Sequence, residues 1–157
     1  MLELGLISDT HGLLRPEALA ALAGCDRILH AGDVGGPDIL ELLRRIAPVT
    51  AVRGNVDMDP PLSRLPPSAT IEWNGLRIHM LHIREELKLD PLARGFAAVV
   101  FGHTHRPLAE VKQGVLYLNP GSAGPRRFDL PVTVARLSVE RSGERPVPVV
   151  RHIELAV

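Results

Sequence analysis

The sequence has one cysteine, Cys25, in 157 residues, and a lone thiol cannot close an internal disulfide. It follows Leu22-Ala23-Gly24, where the pattern predicts the end of a helix, and it reads as an ordinary thiol of a reducing compartment. Aromatic residues are scarce, at 3% of the chain. Trp73, Phe96, Phe101 and Phe128 are scattered, so no platform for stacking bases is evident. Charge of one sign is missing too: Lys+Arg and Asp+Glu both number 18, which argues against a protein that tracks a nucleic-acid polymer by neutralising its phosphates. No apolar run reaches the ~20 residues of a membrane-spanning helix. The N-terminal stretch Met1 to Asp9 has an acid within its apolar residues and no basic lead, so it reads as a first strand and not as a signal peptide. A soluble, cytoplasmic protein without a membrane partner is expected. At this length a single domain, 1–157, buries enough surface to fold without metals or disulfides as staples, so any metal here is functional.

What the chain does have is a repeated pattern of apolar runs that end in polar, glycine-containing loops. Leu4 to Ser8 reads as a buried strand ending in Asp9-Thr10-His11-Gly12, followed by a helix over Pro16 to Leu22 with proline at its first position. Arg27 to Ala31 is a second strand, ending in Gly32-Asp33, with a helix from Pro37 to Ile46. Val49 to Val52 is a third, ending in Gly54-Asn55-Val56-Asp57. The proline-rich stretch Asp59 to Pro67 that follows cannot be a helix. Asn74-Gly75 between Thr70 to Trp73 and Leu76 to His82 marks a hairpin. A short helix is expected over Glu85 to Arg94, a buried strand over Ala97 to Phe101, a hairpin of Leu108 to Val111 with Val115 to Leu118, and two last strands over Val132 to Val139 and Val147 to Leu155. Parallel strands first and hairpins later predict two sheets packed face to face with helices outside.

Five strand ends therefore carry Asp9 and His11, Asp33, Asn55, His82, and His103 with His105. Taken singly, most have an ordinary explanation, because an acid after a strand caps helices and Gly-Asp or Gly-Asn makes turns. Gly102-His103-Thr104-His105 is harder to explain by packing, since two histidines one apart follow a buried strand. Together the seven exceed what one ion takes from protein while leaving an open position, so the count points to two metals. Two divalent ions about 3.5–4 Å apart need a shared ligand, and the carboxylate of Asp33 is central in the series. Nitrogen-rich ligation argues against Ca²⁺ and Mg²⁺, and the absence of thiolate against a soft metal. Mn²⁺ is favoured, with Ni²⁺, Fe or Zn²⁺ as alternatives. Two such ions with Asp9, Asp33 and a hydroxide carry about +1, suited to a phosphate ester, and they acidify bound water for attack on phosphorus.

The series resembles the calcineurin-like metallophosphoesterase superfamily, whose motifs run Asp-x-His, Gly-Asp, Gly-Asn, a later His, and Gly-His-x-His. The match spans Asp9 to His105, and the short length and the Asn119-Pro120-Gly121-Ser122 loop resemble its small single-domain bacterial and archaeal branch. The resemblance implies a four-layer α/β/β/α sandwich, two mixed β-sheets flanked by helices. It also implies that Asp9, His11, Asp33 and His105 hold one metal and Asp33, Asn55, His82 and His103 the other. Two positions depart from the family pattern. Many members have histidine where this chain has Val56, and glycine where it has Ile83; valine cannot protonate a leaving group, and isoleucine reshapes the pocket.

Of the other polar residues, His30 is read either as orienting a ligand from behind or as structural. His79 points away from the His82 face, and His152 is placed on the surface far from the motifs. Arg53, Arg126 and Arg127 are each read as a phosphate clamp or a solvated side chain. The expected activity is a metal-dependent phosphoesterase on a small ester, a diester before a monoester. The alternative is a non-catalytic scaffold of the same fold that binds protein, as in the retromer-subunit relatives, although a complete ligand set argues against it. A DNA nuclease is disfavoured by zero net charge and the lack of a second domain. The partner expectation is a small phosphate ester, with a homodimer compatible with the sequence.

The absent histidine yields a test. A general acid contributes ~10²–10⁴-fold, so Val56→His should raise the hydrolysis rate of esters with poor leaving groups far more than that of nitrophenyl esters. Equal rates in variant and parent would mean that another residue already supplies the proton.

Overall fold

Alternate residues of the first strand serve different layers: Leu4 and Leu6 pack into one apolar cluster and Ile7 into another. A strand covered on both faces has to be apolar throughout, and all four residues of β1 (Leu4–Ile7) are buried. The computed structural model describes residues 1–157. After β1 come α1 (Pro16–Leu22), β2 (Arg27–His30), α2 (Pro37–Arg44), β3 (Val49–Ala51), the hairpin β4 (Ser68–Trp73) and β5 (Leu76–Leu81), then β6 (Ala98–Val100). The hairpin β7 (Leu108–Lys112) and β8 (Val115–Asn119) follows, and the long ribbon β9 (Thr133–Ser142) and β10 (Arg145–Glu154) closes the chain. One five-stranded sheet has the order β10-β9-β1-β2-β3 and the other β4-β5-β6-β8-β7. β1, β2 and β3 run parallel, as do β5, β6 and β8, with antiparallel strands outside each parallel set.

The fold class is the expected one, two mixed sheets. Leu4, Leu6 and Leu29 of the first sheet and Ile78, Met80, Val100 and Leu118 of the second belong to one cluster of 17 buried residues. The outer face of the first sheet is covered by α1 and α2, through Ala18, Leu22, Ile39, Leu40 and Leu43. Both helices start with proline at the first turn, where the missing N–H costs nothing. Asp38 in the first turn of α2 and Arg44 in its last complement the helix dipole.

The helix expected over Glu85 to Arg94 does not form. Only a 3₁₀ turn over Arg84–Glu86 is present, because Pro91 drives the preceding residue out of helical backbone. Asp90 then accepts the Leu92 N–H on its side chain and the Arg94 N–H on its carbonyl. This irregular segment still covers the second sheet, with Leu87, Leu89 and Phe96 packed around Val99 and Phe101. In the proline-rich stretch no α-helix forms, as expected, but Leu62–Arg64 makes one 3₁₀ turn that buries Leu62. The last two strands run longer than expected and pair from Thr133 with Glu154 to Ser142 with Arg145. Pro146 and Pro148 are tolerated there because β10 is a sheet edge. No helix is long and apolar enough to cross a membrane.

Candidate metal centre

Parallel strands present their C-terminal ends on the same edge, and the two sheets face each other, so the ends of β1, β2, β3, β5 and β6 meet. The structure brings the seven residues singled out in the sequence into one cluster. Asp9, His11 and His105 each offer a ligand atom within 4.8 Å of the others, and so do Asp33, His82 and His103. The two groups touch: Asp33 Oδ2 lies 3.1 Å from His82 Nε2 and 3.6 Å from His11 Nε2. Asn55 Oδ1 lies 3.2 Å from His103 Nδ1, so the amide joins the second group.

Each carboxylate is held by one oxygen and leaves the other facing the imidazoles. Ser8 Oγ donates to Asp9 Oδ2 at 2.7 Å and the His103 N–H at 3.1 Å, while Asp9 Oδ1 lies 3.4 Å from His105 Nε2 and 3.8 Å from both His11 and His82. The Val56 N–H donates to Asp33 Oδ1 at 3.0 Å. Burial opposes the charge on Asp9, but His11, Ser8 and the cluster imidazoles hold its carboxyl below the usual range. Asp33 behaves alike, burial being outweighed by His82, the Val56 N–H and His11. His82 Nδ1–H donates to the Ala31 carbonyl at 2.7 Å, which turns Nε2 toward both carboxylates. Burial would lower the His82 pKa, yet Asp33 and Asp9 hold it above the ordinary value. Burial pushes His105 down, with Arg127 and His11 adding to the effect against Asp9.

Asp9 Oδ1, His82 Nε2 and His105 Nδ1 are buried without a hydrogen-bond partner. An unmet buried polar atom costs ~1–3 kcal/mol, and two of these three face the shared volume of the cluster. Carboxylate, imidazole and amide donors around such atoms fit a divalent cation of intermediate hardness. Backbone strain points the same way. Asp9, His11, Asp33, His103 and His105 all have φ between 47° and 72°, a region that costs a non-glycine residue on the order of 1–3 kcal/mol and that persists only where the surroundings enforce it.

The enforcement is visible around the loops. The Asp9, His11 and Gly12 N–H groups donate to the carbonyls of Gly32, Asp33 and Val34 at 2.9–3.0 Å, zipping two loops together beyond their strands. Glycine precedes ligand-type residues because backbones crowd there: a Cβ on Gly54 would stand 2.1 Å from Asp33 N, and one on Gly102 would stand 2.1 Å from Ser8 Oγ. The buried carboxylate of Asp57 accepts the N–H groups of Gly54, Val34 and Gly35 at 2.9–3.2 Å, tying the β2 and β3 loops to one anchor. Gly32 N–H donates to His30 Nδ1 and the Thr10 hydroxyl is spent on the Val34 carbonyl. His30 therefore carries its proton on Nε2 and donates it to Thr10 Oγ1 at 3.0 Å. This imidazole is fully buried and neutral, its pKa pushed down by burial to about 4.

A sixth parallel strand end, that of β8, also serves the site without supplying a ligand. Asn119 is fully buried, and its Nδ2 donates to the Gly102 carbonyl and to Thr104 Oγ1, both at 3.1 Å. Its carbonyl accepts from His152 Nε2 at 2.8 Å, so His152 is half-buried and buttresses the site, contrary to the surface placement expected for it. His79 does lie away from the cluster, stacked on Phe96. Arg126 is spent on the Leu130 and Val157 carbonyls, which leaves Arg127 as the cation of that pair acting on His105. Ser8, Asp57 and Asn119 were not among the expected site residues. The signals for the last two were the acid after Gly54-Asn55 and the Asn-Pro turn.

Two tests follow from this scaffolding. In metal-free protein, stability should fall as pH drops from about 6.5 to 4, because the unfolded chain takes up a proton that buried His30 refuses. The loss due to this group is ~3 kcal/mol, about 1.4 per pKa unit, and urea titrations across that window should show a smaller slope in His30→Gln. Asn119→Leu should weaken divalent-metal binding ~10–100-fold by calorimetry, the usual effect of removing a partner behind a ligand. Unchanged affinity in a folded variant would deny Asn119 that role.

Residues 2–142 match the calcineurin-like phosphoesterase superfamily domain. A probable metallophosphoesterase of Methanothermobacter thermautotrophicus is 36% identical over 155 residues, 88% of this chain and 87% of that one. The phosphodiesterase YfcE of Escherichia coli K12 is 31% identical, over 78% of this chain and 79% of its own. Among solved structures, Vps29 of Chaetomium thermophilum shares the fold with a TM-score of 0.77 and 18% identity, over 98% of this chain and 96% of that one. Family match, curated relatives and fold agree, and the chain belongs to the calcineurin-like phosphoesterase superfamily.

Proposed function

We propose that this protein is a phosphodiesterase with a dinuclear metal centre. The observation that carries the reading is the pair of donor groups, Asp9-His11-His105 and Asp33-His82-His103, with Asp33 Oδ2 within 3.6 Å of imidazoles from both. Asp9, His11, Asp33 and His105 would hold one ion, and Asp33, Asn55, His82 and His103 the other. Two divalent ions there would supply positive charge to the phosphate oxygens and acidify water enough for it to attack phosphorus. Mn²⁺ is the favoured ion, with Ni²⁺, Fe or Zn²⁺ as alternatives.

The chain's own residues orient and select. Ser8, the His103 N–H and the Val56 N–H aim the two carboxylates, and the Ala31 carbonyl fixes the His82 tautomer. The Val56 side chain, 44% exposed at the rim, has no proton to give, so turnover depends on leaving groups that depart as anions. A singly charged diester suits a centre of about +1 charge, and a phosphodiesterase among the relatives supports the same choice. A protein-binding scaffold would keep the fold without needing seven converging donors, five of them on strained backbone.

The test is hydrolysis of a chromogenic phosphodiester and its monoester after chelation, then with Mn²⁺, Ni²⁺, Zn²⁺ or Mg²⁺ restored singly. Activity should return with a transition metal, higher on the diester, and Asp33→Asn and His103→Ala should abolish it while circular dichroism stays unchanged. Tight metal binding with neither ester hydrolysed would favour the scaffold.

A further inference from the structure

A cleft of about 290 Å³ opens where the loop after β3 meets the segment after β5. Asn55 and His82 line it, so it is continuous with the candidate centre. Its volume lies just under the ~300–1,000 Å³ typical of small-molecule sites, enough for one compact organic group.

The remaining walls are chemically divided. Pro67, Leu81 and Ile83 are apolar, while Arg53 and Glu86 bring opposite charges to the same cleft. Neither charge is spent on an ion pair. Arg53 Nη1 donates to the Ser63 carbonyl at 3.0 Å, which steers the guanidinium and leaves its other N–H groups to donate. An anionic group in this cleft would meet Glu86, and a cationic one would meet Arg53. An uncharged group that offers acceptors to Arg53 and donors to Glu86 meets neither penalty, and flat faces suit the apolar walls. Ile83 is not there for the backbone's sake. It has φ −112° and ψ 115°, open to most residues, and its branched side chain lines the cleft.

We propose that this cleft seats one organic arm of the ester, an uncharged planar group with hydrogen-bond donors and acceptors on its edge, such as a cyclic amide or nucleobase. Arg53 and Glu86 read the edge and Ile83 limits the size. The inference rests on the phosphodiesterase reading, naming the kind of diester the site takes.

The experiment compares kcat/KM for nitrophenyl diesters that differ in the second arm: thymidine, whose base presents an N–H between two carbonyls, phenyl, which is planar without polar edges, and choline, which is cationic. Bis(p-nitrophenyl) phosphate reports the hydrolase itself, and all assays use metal-restored protein. The thymidyl ester should exceed the phenyl and choline esters about tenfold or more, the worth of a hydrogen bond to a charged group. Arg53→Ala and Glu86→Gln should each cut the thymidyl-to-phenyl ratio about tenfold. Ile83→Gly should raise a naphthyl ester about tenfold relative to phenyl. Equal rates on the three arms, a choline preference, or a ratio unmoved in both charge variants would overturn the proposal while bis(p-nitrophenyl) phosphate turnover kept the hydrolase reading intact. Loss of turnover on every diester, with any metal, would remove both.

Discussion

Asp9 and Asp33 each turn one oxygen toward His82 Nε2, at 3.8 and 3.1 Å. Two carboxylates sharing so small and dry a volume repel, and the arrangement persists only if positive charge is held between them. The His82 imidazole, whose pKa the two acids hold above its ordinary value, supplies part of the answer, and a divalent cation would supply more. The second oxygens are tied back by a hydroxyl and two backbone N–H groups, so neither acid relieves the repulsion by rotating away. Much of what surrounds the site serves to keep these like charges together. Asp57 fastens the β2 and β3 loops, His30 and Thr10 couple the β1 and β2 loops, and Asn119 fixes the loop of His103 and His105.

The elements that position the site were legible in the sequence because their local chemistry leaves few choices. β1 and β6 are buried on both faces and read as unbroken apolar runs. Proline opens both helices, and Asn74-Gly75 can hardly do other than turn. Legibility failed where one residue overrode its neighbours. Glu85 to Arg94 has the composition of a helix, but Pro91 denies it the backbone. β9 and β10 extend past the core as a two-stranded ribbon whose tip carries polar residues on both faces, so alternation of apolar and polar residues does not mark their ends.

The site divides in the same way. Residue type and strand-end position were enough to single out the seven residues that the structure gathers, acids, an amide and histidines at glycine-marked strand ends. Residues that act behind them have no such signature. Asp57 looks like any loop acid until its carboxylate is seen to collect three N–H groups from two loops. His152, far along the chain, reaches Asn119 only because β9 brings the final strand back beside the first sheet. Such roles depend on contacts between distant segments, which a single sequence does not reveal.

The division of donors between the sheets carries a consequence of its own. Asp9, Asp33 and Asn55, every oxygen donor of the set, follow strands of the first sheet, whereas three of the four imidazoles, His82, His103 and His105, follow strands of the second. Neither half of the chain holds the full set of candidate donors. An ion bound there would stitch one half to the other as a crosslink does, except that it could be withdrawn, and cohesion between the halves would then depend on metal supply.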